Sequence, residues 1–445
     1  MARAASLPDF SHIPAPVRHR RFASERYAHY VLGVLFVVYV FNFIDRQILA
    51  ILLQPIKQDL HASDTAMGFL TGFAFAIFYA VAGIPIARFA DRRGRSIVIA
   101  AGLAVWSAMT AASGLAQTFF QLAAARVGVG VGEAAGSPPA HSLLSDYFPL
   151  RRRGAAMAVY SAGVPVGVLF GYVIGGWINE FFGWRRAFFV VGLPGLALAV
   201  VVRLTVHDAP RGRADGLHDG GAVDSPAEVF RYLWRLRSFR QLSLGAALHA
   251  FAGYGITAWT PAFLIRVYGM STGEVGTWLG LIAGIAGGTG AILGGVAADR
   301  LAARDVRWNM WLPALAVVGA LPFATLGFLS PQRVPALLLL TPSTFLGAMW
   351  FGPTMAMTQS LAKLRMRAVA SAILFFIISL IGLGLGPQVI GILSDALAAS
   401  YGKEAIRYAL VLAGMANVGA ALHYVLAART LRSDLQANGF AEEIA

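Results

Sequence analysis

Long apolar runs alternate with short polar ones along the whole chain. From Tyr30 to Leu53 the sequence YVLGVLFVVYVFNFIDRQILAILL is apolar except for NFIDRQ, Asn42 to Gln47. A helix that crosses a bilayer needs about 20 such residues. Runs of that length can be read at 30–53, 67–87, 97–115, 119–145, 154–177, 186–206, 240–264, 275–298, 309–329, 335–360, 367–394 and 405–428. They predict an all-α membrane protein with twelve transmembrane helices. His207 to Arg237 is the longest polar stretch between runs. It divides the chain into an N-terminal segment (1–29), a first six-helix bundle (30–206), a linker (207–238), a second bundle (239–428) and a tail (429–445).

Composition supports this reading. The 445 residues are 57% hydrophobic and 13% charged, where soluble domains carry about 25% charged residues. There are 49 glycines, and small residues let membrane helices approach closely. Cysteine is absent, which excludes disulfides and thiolate chemistry. No apolar core precedes Tyr30, so no cleaved signal peptide is expected.

A net charge of +14 would suggest nucleic acid in a soluble protein. Here the placement of the charges excludes that partner. Most Lys and Arg fall in the N-terminus, the even-numbered loops and the C-terminus. The odd-numbered loops hold only Lys57, Arg185, Arg186, Arg266, Arg333, Lys403 and Arg407. Positive loops stay inside, so both termini, the linker and the tail are expected in the cytoplasm. The clusters RHRR (18–21) and RRR (151–153) suit an anionic inner leaflet, although plain topology signalling explains them as well.

The two halves echo one another. ARFADRRGR (87–95) follows the second run and GGVAADRLAAR (294–304) follows the eighth; GVPVG (163–167) in the fifth matches GLGP (384–387) in the eleventh. Repeated halves are the mark of a transporter that binds substrate between them near the midplane, and not of an enzyme. The 87–95 and 294–304 segments resemble the loop motif of the major facilitator superfamily, with Ala87 in place of its usual glycine and Ser96 in place of a second basic residue. Arg126 with GVGVG (128–132) resembles that family's fourth-helix motif. Within the family the chain looks most like a bacterial spinster-like member, through NFIDRQIL, GVGEAAGSPPAHSLLSDYFPLRRRGAAMAVYSAGVPVG, GGWINEFFGWRRAF and GMSTGEVG. That resemblance implies the bacterial inner membrane, a monomer, and a lysophospholipid-like or sphingosine-phosphate-like substrate. It also implies a cytoplasmic gate at Asp91, Arg92, Arg95, Asp299 and Arg300. NxxDR followed by RxxxGxxxE occurs as well in organic anion–proton symporters of the same family, so the charged motif does not separate the two groups.

NFIDRQ places Asp45 and Arg46 inside hydrocarbon, where each charge costs on the order of 3 kcal/mol. Neighbours on a helix point about 100° apart, so each needs a partner elsewhere. The chain offers Arg126 and Glu133, two turns and about 10 Å apart on one face. Asp45 is expected near Arg126, and Arg46 near Glu133. Asp45 and Glu133 are the candidate proton-coupling groups. Arg46, Arg126, Asn42, Tyr79, Ser137 and His249 are the candidate substrate-binding groups. A guanidinium suits an anionic head group because it binds one bidentately. Structural glue between the first and fourth helices is the plainer alternative.

The second half lacks charges inside its runs and carries His249, Tyr254, Thr260, Thr289, Thr358 and Gln388, with Met349, Trp350, Phe351, Met355, Met357, Phe375 and Phe376. One charged wall and one greasy wall would suit an amphiphile, with protons as the coupling ion. A short organic anion and a multidrug export role remain open alternatives, as does a scramblase or membrane enzyme, which the paired gate motifs disfavour. GVGEAA (130–135) fits a dinucleotide fingerprint only without its strand. No GxxxxGK[ST] and no metal-ligand spacing occurs, so no cofactor or metal is expected.

Overall fold

The computed structural model describes residues 24–209, 225–363 and 366–436, without the side chains of Ile84, Ala87, Arg88, Asp91, Arg92, Arg93, Leu150 and Ala368. The RHRR cluster and the side chains of the expected gate residues Asp91 and Arg92 therefore lie outside the described residues. Among the described residues there is no strand.

In the first half, span one is Glu25–Asp59, span two Asp64–Thr71 with Phe73–Arg93, and span three Arg95–Ser113. Span four is Phe119–Glu133 with Ser137–Tyr147, span five Leu150–Ser161 with Gly163–Phe182, and span six Trp184–Thr205. A short helix, Pro226–Arg235, lies in the linker and is opened by a reciprocal Ser225–Glu228 cap. In the second half, span seven is Arg237–Tyr268, and span eight runs from Thr272 to Ala302 through a wide π-type stretch at Ile282–Gly287. Span nine is Trp308–Leu329, and span ten is Arg333–Gly347 with Phe351–Ser360. Span eleven runs from Arg367 to Tyr401 with a π-type stretch at Ile378–Leu385, and span twelve is Ala405–Gly414 with Ala416–Gln436.

Among the described residues nine helical stretches are long and apolar enough to cross a membrane. One of them, Val369–Gln436, contains two spans, and spans four and seven, interrupted by polar residues, complete the twelve. The helices outlast the apolar runs because a helix continues into its polar flanks once the backbone ladder is formed.

The packing repeats between halves. Span one lies on span five as seven lies on eleven, and three lies on six as nine lies on twelve. The halves meet mainly through spans one and seven, two and eleven, and five and eight. These contacts sit at the end of the bundle away from the termini. There an apolar core crosses between halves, from Leu49, Ile51 and Leu53 to Trp259, Phe263 and Leu264.

Candidate functional site

Span four is held unusually close to its neighbours by the glycines of GVGVG. A Cβ on Gly130 would lie 2.8 Å from the Phe75 carbonyl oxygen of span two, and one on Gly132 would lie 2.6 Å from the Trp106 nitrogen of span three. Only residues without a side chain permit that approach. It is what carries Arg126 and Glu133 to span one. The helix then stops at Glu133 and restarts at Ser137, where Pro138 and Pro139 occupy its first turn. Proline there supplies no N–H to continue the ladder.

Arg46 Nε donates to Glu133 Oε2 at 2.7 Å. Arg126 Nη1 lies 3.5 Å from Asp45 Oδ1, which also accepts from Thr110 Oγ1 at 2.6 Å. The two pairs are not equivalent. The side chains of Glu133, Asp45 and Arg126 are 0%, 2% and 3% exposed, while Arg46 keeps 19%. Arg46 is therefore the one charge of the four that a molecule outside the helices can reach.

Aromatic rings frame it. Its guanidinium stands 5.2 Å from the Phe43 ring, 5.0 Å from Phe75 and 5.2 Å from Tyr79. Phe75 is shared, since the Arg126 guanidinium also lies 5.9 Å from its ring centroid. Tyr254 of span seven is close enough to interact electrostatically with both Arg46 and Tyr79. The second half thus brings a phenol near the charged wall. Ser137 lies near Tyr39 and Tyr160, whose rings stack at 4.3 Å. Among the described residues, Asn42 Oδ1, Asp45 Oδ2, Arg126 Nε and Nη1, and Glu133 Oε1 are buried without a hydrogen-bond partner. Buried polar groups are ordinarily satisfied, so five such atoms in one cluster mark it as the candidate site.

Several expected positions fall elsewhere. Arg126 does not line an open surface; it is buried beneath Phe75. His249 is not brought to the cluster. Its Nδ1 meets Asn417 Oδ1 at 2.7 Å and its Nε2 meets the Gly347 carbonyl at 2.9 Å, so its hydrogen bonds stay within the second half. Arg95 is buried and does not reach across halves. It pairs with Asp146 and donates to the Ala209 carbonyl at 2.7 Å, while Asp208 caps Arg95 N and Ser96 N at 3.0 Å each. Asp299 and Arg300 are exposed at the end of span eight. Met357, Met355 and Trp350 pack in the core of the second half, whereas Phe351, Phe375 and Phe376 stay exposed. Sequence reasoning missed Thr110, Phe43 and Phe75, which carry no charge and therefore gave no signal.

Twelve spans in two repeated bundles, with charges buried between an unbroken first helix and an interrupted fourth, define a secondary transporter fold. The sequence matches the Major Facilitator Superfamily over residues 35–387, and the chain belongs to that family. Within it the chain is related to the spinster proteins. It superposes on a bacterial homologue of the human lysosomal transporter spinster, in an inward-facing and unoccupied conformation, with a TM-score of 0.82 and 32% identity over 92% of this chain and 99% of that one. It is 39% identical over 414 residues to an MFS-type efflux pump of Mycolicibacterium smegmatis, covering 92% of this chain and 95% of the pump. It is also 26% identical over 391 residues to a sphingosine-1-phosphate transporter of Xenopus tropicalis, covering 84% and 75%.

Proposed function

We propose that this membrane transporter works by alternating access, is driven by protons, and moves an anionic amphiphile such as a lysophospholipid or a sphingosine-phosphate-like lipid. Both termini face the cytoplasm of a bacterial cell, so the end where the halves meet faces outward and the trapped state is inward-facing. The observation that carries the reading is the inequality of the four charges. Arg46 is reachable, ringed by aromatic faces and held by one displaceable carboxylate; Asp45 and Arg126 are sealed.

A phosphate or carboxylate head group would take the place of Glu133 on Arg46. Glu133 would then lose its cation partner, and a buried carboxylate without a cation favours the protonated form. Substrate and proton would in this way share one arginine. Asp45, with Thr110 and Arg126, is the second proton-responsive group, and Asn42, Tyr79 and Ser137 line the approach to Arg46. The acyl chain would lie toward Tyr254 and the exposed Phe351, Phe375 and Phe376 of the second half. The likeness to a sphingosine-1-phosphate transporter supports a lipid, and the likeness to an efflux pump supports a broader export role as the second reading.

The test is movement of labelled lysophospholipid in proteoliposomes with and without a pH gradient, beside a short dicarboxylate and an organic cation. Gradient-dependent lysolipid transport that is lost in Arg46→Ala supports the proposal. Transport of the dicarboxylate alone would assign Arg46 to a small organic anion, and transport of unrelated cations to multidrug export.

A further inference from the structure

Away from the termini the halves are joined at two places that the internal repeat relates to each other. In the first, span five meets the start of span eight. Glu180 Oε2 accepts from Gly273 N at 3.1 Å and from Thr272 Oγ1 at 3.3 Å. One turn earlier, Gly176 packs so tightly that an added Cβ would lie 2.3 Å from the Thr272 carbonyl oxygen.

In the second, span eleven meets the start of span two. Asp395 accepts from Asp64 N at 3.1 Å and from Thr65 N and Thr65 Oγ1 at 2.7 Å each. One turn earlier, a Cβ on Gly391 would lie 2.3 Å from the Asp64 carbonyl oxygen. The match continues inward. Gly276 faces the Tyr172 carbonyl at 2.3 Å as Gly68 faces that of Pro387 at 2.7 Å, and Gly280 faces Leu169 at 3.0 Å as Gly72 faces Gly384 at 2.5 Å. Each joint is thus a glycine seam ending in a carboxylate that caps the first turn of a helix in the other half, a favourable place for negative charge.

The joints differ in charge. Among the described residues Glu180 has no ion pair. At the other joint Asp64, 3% exposed, receives Lys57 Nζ at 2.6 Å, Arg266 Nη1 and Nη2 at 2.6 and 2.7 Å, and Ser394 Oγ at 2.6 Å. Lys57 comes from span one, Arg266 from span seven and Ser394 from span eleven. Arg266 Nε also bonds Gln54 of span one. At this joint lies a pocket of about 440 Å³, lined by Lys57, Asp64, Arg266, Asp395 and Lys403 among others. The pocket puts solvent within reach of the joint. When the joint opens, Asp64, Lys57 and Arg266 regain hydration, which offsets much of the lost attraction.

We propose that, of these two seams, the Asp64–Arg266–Asp395 joint is the lock that sets the balance between inward-facing and outward-facing states. This rests on the alternating-access reading above. Asp64→Asn removes the charge that holds Lys57 and Arg266 together and leaves two cations facing each other. Asp395→Asn halves the capacity to accept from Asp64 N and Thr65 N.

The chain has no cysteine, so His61→Cys with Ser400→Cys, both exposed positions flanking the charged joint, carry a nitroxide pair without background labelling. The distance distribution is read by pulsed electron resonance in lipid nanodiscs, beside transport in proteoliposomes. The expected result is a roughly tenfold or larger gain of the long-distance population in Asp64→Asn, as the loss of a charged hydrogen bond implies. Asp395→Asn should follow, with a smaller shift in Glu180→Gln. If the unmutated protein alternates between two distances on changing pH or adding lysolipid while neither aspartate variant shifts the balance, the lock is overturned and alternating access stands. If one distance persists in every condition while transport proceeds, alternating access itself fails and takes the lock with it.

Discussion

Replacing Glu133 with glutamine isolates the step in which substrate and proton compete. Glu133 Oε2 accepts from Arg46 Nε at 2.7 Å, and the carboxylate is fully buried. An anion that reaches Arg46 must displace it. The bond to a glutamine keeps its charged donor and loses the attraction of two opposite charges, about 1 kcal/mol in water and about 4 kcal/mol at an effective dielectric near 20, part of which only offsets the cost of keeping a carboxylate dry. Glutamine keeps the shape and weakens the grip on Arg46 by about 1–2 kcal/mol, a factor of about 5–30. Glu133→Gln should therefore bind lysophospholipid about 5- to 30-fold more tightly and turn over more slowly, because the competitor that drives release is gone. Titration calorimetry on purified protein gives the first quantity and flux in proteoliposomes gives the second. Unchanged or weaker binding in a folded variant would refute the competition, and with it the shared arginine.

Asp45→Asn keeps the bond from Thr110 but removes the charge opposite Arg126; it should abolish gradient-driven accumulation while substrate exchange persists, and retained accumulation would remove Asp45 from proton coupling. Arg46→Lys retains a cation but loses its planar contact with three rings, each worth about 0.5–1 kcal/mol; binding should weaken roughly tenfold, and an unaffected affinity would mean that charge alone suffices. In the loop after span eight, the hydrogen bond from Arg307 holds the Asp305 carboxyl below its usual 3.8. A depressed carboxylate stabilises above its ordinary value and loses that contribution only as pH falls through the lowered one. Asp305→Asn should thus leave the pH profile of transport unchanged between about pH 5 and 8, and a displaced profile would place a proton-sensitive step in that loop.

The central charges were legible because hydrocarbon makes each of them need a partner. With Asp45 and Arg46 on one helix and Arg126 and Glu133 two turns apart on another, few pairings were open. Their neutral company was not legible. Nothing in the sequence of span two marks Phe75 as the ring between two guanidiniums, and nothing in span three singles out Thr110. His249 looked exposed to function because a lone polar residue in an apolar run carries no sign of its acceptors; Asn417 lies on another helix, and Gly347 offers only its backbone. Asp64, Arg266 and Asp395 sit just beyond the ends of apolar runs, where charge is cheap and therefore uninformative. Their repeat, Gly-x-x-x-Glu at 176–180 and Gly-x-x-x-Asp at 391–395, was present but is too short to stand out among 49 glycines.

The wide stretches at Ile282–Gly287 and Ile378–Leu385 have counterparts in the first half, the interruptions at Gly72 and Ala162. All four lie at the inner edge of the glycine seams, in spans two, five, eight and eleven. Helices bend where the regular ladder is broken, and such wide turns gather at functional positions. The arms that clasp the far end therefore have elbows. Each outer segment can swing on its own elbow while the buried charges beneath remain in place. Under the alternating-access proposal, closing over a bound molecule would then be a separate motion from handing it across, and the cycle would pass through a sealed chamber with both doors shut.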